Sequence, residues 1–399
     1  MRHRTLAAVL AAALAAPLTA AAAPDPGPPP LRVAPDGRSF TAGGAPFLWL
    51  GDTAWGLLAT ADPAEVRHYL DVRAAQGFTV VQTAVPEGAD AEGGGADWSR
   101  VDAAVAEAAR RGLHIAVTPA LPAAAAAPAL GRFLGARYGD RVVWVLGDGT
   151  DDDAATWSAL GEGIAAGAVA DPLMTFEPGP GRSSADVVGD AAWLSFALVR
   201  GAACEDAVAR VGGMLARPFL DARPAQEDAP DCSGTGAATT ALDVRRSAYG
   251  DVFAGAAGHT YGHRDTWAPD AALRAAALVD EGAVQMAHLR ALTDSRAART
   301  PAPELLVEGA AGVLRAADHL MAHVPAGEGI ALDTTALPGE ALRGWWFDPR
   351  TGVPTDVGTV PRSPSASFFP PVTGPADAGL DWVLVIDDPA AGLAPPGDQ

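Results

Sequence analysis

Three carboxylates stand where a parallel α/β fold keeps its chemistry. Asp148 ends the apolar run Val142-Val143-Trp144-Val145-Leu146 inside Gly147-Asp148-Gly149. Asp221 ends a second run, Pro218-Phe219-Leu220, and Glu227 follows six residues later. A run that is apolar throughout reads as a strand covered on both faces, and acids at the C-terminal lips of such strands are placed for acid–base or nucleophilic work. Around them lie residues able to hold a polar, ring-shaped ligand. Asp52 and Trp55 follow the first strand, Glu87 the second and Arg223 the seventh. His259, Tyr261 and Trp267 sit at or after the last. Each also has an ordinary structural reading: Asp52 as a turn cap, Asp221 as a strand-end acceptor, Trp267 as core. His259 and His263 are four apart, but Gly258 and Gly262 beside them argue for a strand end rather than a zinc-binding helix face. No metal and no cofactor is expected.

The elements that must position these residues alternate. Strand signals fall at 47–52, 78–83, 113–118, 142–147, 173–176, 193–198, 218–221 and 256–261. Helix signals fall between them at 63–76, 97–111, 122–138, 154–166, 205–216 and 239–253, with 281–295 closing the series. Eight strand signals alternating with helix signals over some 250 residues have the rhythm of a (β/α)8 TIM barrel. An open doubly wound sheet alternates in the same way, but no G-x-G-x-x-G follows the first strand to make it a dinucleotide fold. From about residue 303 the helical period disappears. Trp345-Trp346-Phe347 and Asp381-Trp382-Val383-Leu384-Val385 read as strands of a small all-β C-terminal domain. His319 and His323 are expected on its surface.

The 399 residues carry a net charge of −20, and every basic residue is Arg. That field disfavours nucleic acid and anionic membranes. A basic start (Met1-Arg2-His3-Arg4), a short apolar centre and small residues up to Ala23 make a secretory signal peptide. The stretch is too short for a comfortable span, so no membrane span is expected in the mature protein, which is placed outside the cell or in the periplasm. The organisation expected is 1–23 signal peptide, 24–37 Pro-rich linker, 38–300 barrel, 301–390 β domain and 391–399 a frayed tail. Cys204 and Cys232 fall on the loops after strands six and seven. In an exported chain they can pair, worth about 3–4 kcal/mol in the chain-entropy picture; two thiols alone are a poor metal site.

Several stretches carry a resemblance. Pro46-Phe47-Leu48-Trp49-Leu50-Gly51-Asp52-Thr53-Ala54-Trp55, Tyr69 to Phe78, Val244 to Tyr249 and Phe253 to His263 are similar to the apiosidase-like glycoside hydrolases. Trp345-Trp346-Phe347-Asp348-Pro349-Arg350-Thr351-Gly352 and Asp381 to Val385 resemble the domain, labelled collagen-binding, that follows their barrel. The resemblance implies cleavage of glycosidic bonds in plant cell-wall polysaccharide by two carboxyl groups facing one sugar, with an oligosaccharide or polysaccharide as partner. It also implies an acid Asp ending strand four as Gly-Gly-Asp and a nucleophilic Glu after strand seven in Asp-Gly-Glu-Pro.

This chain departs at both places. Gly149 stands at the Asp position and Arg223 at the Glu position. The polar strand-six segment is here Phe196-Ala197-Leu198-Val199-Arg200-Gly201-Ala202-Ala203, the aromatic after strand three is replaced near Ala120-Leu121, and the loop after Glu87 is short and Gly-rich. Two readings follow. In one the chain is a carbohydrate-directed barrel that binds without hydrolysing. In the other it is a working glycosidase with relocated carboxylates, Asp148 with Asp221 or Glu227.

Overall fold

The computed structural model describes residues 27–398 apart from 86–97, 151–152, 203–207, 209–215, 269, 298 and 375–377. The expected signal peptide, Glu87 and Cys204 lie outside the described residues.

The chain opens with a three-stranded antiparallel sheet, β1 (Leu31–Val33), β2 (Phe40–Ala42) and β3 (Ala45–Phe47). Part of the stretch expected to be linker is therefore structured: Leu31 is buried and pairs with Ala42. Eight parallel strands follow: β4 (Trp49–Thr53), β5 (Val80–Ala84), β6 (His114–Thr118), β7 (Val143–Leu146), β8 (Met174–Phe176), β9 (Ala197–Val199), β10 (Phe219–Asp221) and β11 (Gly258–Tyr261). Six form one sheet in the order β11-β4-β5-β6-β7-β8, and β9 pairs with β10. The two groups are joined by hydrogen bonds outside the strand ladders. Ser195 N donates to Met174 O (2.8 Å) on one side and Ala257 N to Phe219 O (2.9 Å) on the other. With helices packed outside, this is an α/β barrel-like domain.

Alternation along β7 shows how sequence makes the layers. Trp144 and Leu146 face the helix layer, among Leu130, Leu134 and Leu160. Val143 and Val145 face inward, among Trp49, Val80, Phe196 and Leu220. The N-terminal sheet stoppers that interior: Phe40 meets Phe196 edge-on at 5.3 Å, and Phe47 meets His114 at 5.4 Å. The helix Pro63–Ala75 starts as expected, with Asp62 accepting from Ala64 N and Glu65 N. The helix expected over 122–138 begins at Ala127, because Pro128 fits only the first turn.

The C-terminal domain is a sandwich of β12 (Thr300–Pro301), β13 (Leu306–Glu308), β14 (Gly312–Arg315), β15 (His319–Val324), β16 (Ile330–Leu332), β17 (Ala341–Phe347), β18 (Pro354–Pro361), β19 (Ala366–Phe368) and β20 (Trp382–Asp387). A six-stranded sheet, β12-β14-β15-β20-β17-β18, lies over β13-β16-β19. Leu320, Leu342, Trp346, Leu384 and Ile386 fill the space between the sheets. The opposite face, with Leu314, Met321, Phe347, Val383 and Val385, packs on Val244, Ala248, Phe253, Met286 and Leu289 of the barrel helices Ala241–Phe253 and Glu281–Ser295. Both faces of β15 are thus covered, and His319 and His323 are buried rather than on the surface. His323 lies 5.2 Å from the Tyr249 ring. Two ion pairs cross the joint: Arg245–Asp381 (2.6 Å) and Arg296–Asp387 (2.6 Å), all four side chains at most 5% exposed. The tail is not frayed, since Ala394 O accepts from Arg296 and Gly397 N donates to Ser295 Oγ. Among the described residues no helix is long and apolar enough to cross a membrane.

His114 supplies a pH prediction. Burial lowers its pKa from 6.5 to about 4. A folded value below the unfolded one means that stability is present above about pH 6.5 and lost as pH falls toward 4. The expected loss from this residue is about 3 kcal/mol. Urea unfolding at pH 7.5 and pH 4.5 should show a gap that narrows by that order in His114→Leu; an unchanged gap would sink the assignment.

Candidate functional site at the strand ends

The mouth forms where β7, β8, β9 and β10 end. Gly147 (φ 91°) and Gly149 (φ 78°) take left-handed backbone, which lets the chain turn outward over β8. A Cβ on Gly147 would lie 2.6 Å from Glu177 O, so only glycine permits that approach. Between the two, Asp148 is exposed and occupied with its own turn, accepting from Thr150 N (3.0 Å) and Thr150 Oγ1 (2.8 Å).

Glu177, the residue after β8, is 4% exposed. Its Oε1 accepts from Arg223 Nε at 2.9 Å. Burial pushes the Glu177 carboxyl above its usual range, against the opposing pull of Arg223. Arg200, just after β9, donates through Nη1 to Gly149 O (2.5 Å) and Pro178 O (3.3 Å). The three side chains converge on Gly149. A Cβ built there would lie 2.6 Å from Arg200 Nη1, 3.1 Å from Glu177 Oε1 and 3.2 Å from Arg223 Nη2. Beside this cluster opens a pocket with an apolar floor of Val145, Phe196, Leu198 and Leu220. Its polar and aromatic rim includes Thr53, Trp55, Gln82, Asp221, Arg223 and Gln226. An apolar floor with a few polar groups and one aromatic is what a sugar-sized ligand requires.

Of the residues expected at the site, the structure brings Trp55, Asp221 and Arg223 to this pocket. Asp221 also accepts from Arg223 N (2.8 Å), a strand-end role. Four others are corrected. Asp52 is fully buried, bonded to Arg73 Nε (2.6 Å) and to the Tyr69 hydroxyl. Burial opposes the Arg73 charge, but the Asp52 carboxylate overcomes it and holds Arg73 above its ordinary value. His259 is fully buried, its Nδ1 2.7 Å from Asp251 Oδ2; a carboxylate only accepts, so Nδ1 carries the proton. Tyr261 is fully buried and donates to Glu227 Oε2 (2.6 Å). Glu227 is buried too and takes Gly282 N (3.0 Å), so it ties the strand-seven loop to the closing helix. None of the four presents surface to a ligand. Trp267 ends the short helix Arg264–Trp267. Cys232 is disulfide-bonded.

Glu177 was not among the expected residues. The rule that singled out Asp148, a carboxylate at the lip of a parallel strand, applies equally to Leu173-Met174-Thr175-Phe176-Glu177. The run is short, a strand of three residues, and gives a weaker signal than Val142 to Leu146.

Comparison with known proteins bears on the family and the fold. Residues 34–299 match the family described as "Apiosidase-like, catalytic domain". Residues 310–387 match "Putative collagen-binding domain of a collagenase". A solved structure described as a glycoside hydrolase shares the fold, with 24% identity, 91% of this chain and 97% of that one covered, and a TM-score of 0.81. A glycoside hydrolase family 5 structure from Bacteroides vulgatus gives 26% identity, 90% and 93% coverage, and a TM-score of 0.81. No curated protein sequence matches the chain.

Proposed function

Because the chain belongs to the apiosidase-like family, we propose that it is an exported, carbohydrate-directed protein whose eight strands close into a (β/α)8 barrel and whose mouth binds sugar without hydrolysing it. The observation that carries this reading is the Glu177–Arg223 pair. Glycoside hydrolysis places positive charge on the anomeric carbon and needs an anionic neighbour and a proton donor. At this mouth the buried carboxylate already faces a fixed cation, and Gly149 has no side chain to donate a proton. Trp55, Gln82 and Gln226 retain the means to stack and hydrogen-bond a ring.

A second reading keeps activity. Glu177 has a raised pKa and Asp221 lines the same pocket, so the two could divide acid and base roles. The full-length protein, incubated with a panel of plant cell-wall polysaccharides, separates the two. Retention on an affinity gel without released sugar is expected. Released product, abolished by Glu177→Gln, would establish the second reading.

A further inference from the structure

One guanidinium at the mouth is only partly used by the buried acid beside it. Arg200 and Arg223 both reach the point where a Gly149 Cβ would stand, and among the described residues the buried carboxylate beside it is Glu177. Arg223 gives Glu177 only its Nε. Its terminal nitrogens have no hydrogen-bond partner among the described residues, and its side chain is 43% exposed on the rim of the pocket. Asp148 is turned to Thr150 and Asp221 to the Arg223 backbone, so neither takes that fork.

We propose that the pocket receives a sugar carrying one oxyanion group, a carboxylate or a sulfate, and that the terminal nitrogens of Arg223 grip that group. The proposal rests on the carbohydrate-directed reading above and adds the charge of the ligand. A planar guanidinium matches two oxygens of such a group with two parallel N–H bonds, which a lysine cannot do. The concave, half-buried position keeps the attraction stronger than on open surface. The chain's net charge of −20 repels long polyanions, so a short sugar with a single charge fits best. Trp55 and Gln226 on the same rim give the ring a face and a hydrogen-bonding edge.

Calorimetric titration of the full-length protein tests this with five probes. They are a glucuronate-bearing disaccharide, its carboxyl-reduced form, a sulfated disaccharide, its desulfated form, and inorganic sulfate. At least one charged sugar is expected to bind about tenfold tighter or more than its neutral form. Arg223→Gln should erase the difference, and Arg223→Lys should keep only part of it, in variants that circular dichroism shows to be folded at the titration temperature. Which charged sugar prevails assigns carboxylate or sulfate. Equal binding of charged and neutral forms overturns the proposal and leaves the carbohydrate reading standing. Arg223-dependent binding of inorganic sulfate, with no sugar bound, supports the anion grip and overturns the carbohydrate reading. Absence of binding by all five overturns the proposal.

Discussion

Arg245→Ala is expected to lose about 3–5 kcal/mol of stability, the cost of leaving a buried partner charge without its counter-ion. Arg245 reaches from a barrel helix to Asp381 in the β domain with Nε and Nη2, and its Nη1 bonds Gln285 (2.6 Å). Asp381 is wholly buried. Burial works against its charge, but Arg245 holds the carboxyl well below the usual range. Without Arg245, the carboxylate must either stay charged in an apolar joint or take up a proton. Urea denaturation at neutral pH measures the effect. Arg245→Met with Asp381→Leu should recover most of the loss, because an apolar pair of similar size removes the need for desolvation. A single-variant loss below about 1 kcal/mol, the range of an exposed pair, would show that the joint is wet.

The second large effect concerns turnover. The unmodified protein should release no product at a rate within about 10²–10⁴-fold of an acid-assisted enzyme, since proton donation alone contributes that much. Restoring the two groups that the family resemblance assigns, Gly149→Asp and Arg223→Glu, is not expected to suffice. Gly149 has a φ of 78°, and a Cβ there would sit 2.6 Å from Arg200 Nη1. Adding Arg200→Ala clears the space and removes a cation from beside the new acid. Glu177 and the new glutamate would then crowd two carboxylates together, which raises the pKa of one. The triple variant is expected to exceed the unmodified chain by about 100-fold or more on an aryl glycoside. Equal rates in the double and triple variants would remove Arg200 from the account.

The strands were legible because their physics is local. Most are short runs rich in apolar and β-branched residues, and the observed bounds fall within four residues of those expected. Burial at the strand ends was not legible, because it depends on partners distant in sequence. Asp52 is taken by Tyr69 and Arg73 from the next helix, and Tyr261 by Glu227 from the preceding loop. His319 and His323 alternate with apolar residues as a half-exposed strand would. Nothing in that pattern tells that both faces of β15 are covered. Arg223 was legible as a substitution at a family position, but its bond to Glu177 depends on two loops meeting.

The joint between barrel and sandwich also bears on how this chain can be cut and recombined. The sheet face on the barrel helices is apolar, and its two ion pairs are dry. The break near residue 300 is therefore a seam in sequence but not a hinge in space. A nick there would leave two fragments clasped together. A sandwich grafted alone onto another protein would carry an exposed greasy face with it. Whatever the sandwich contacts must approach by its edges or its outer, three-stranded side, because the inner side already has an occupant.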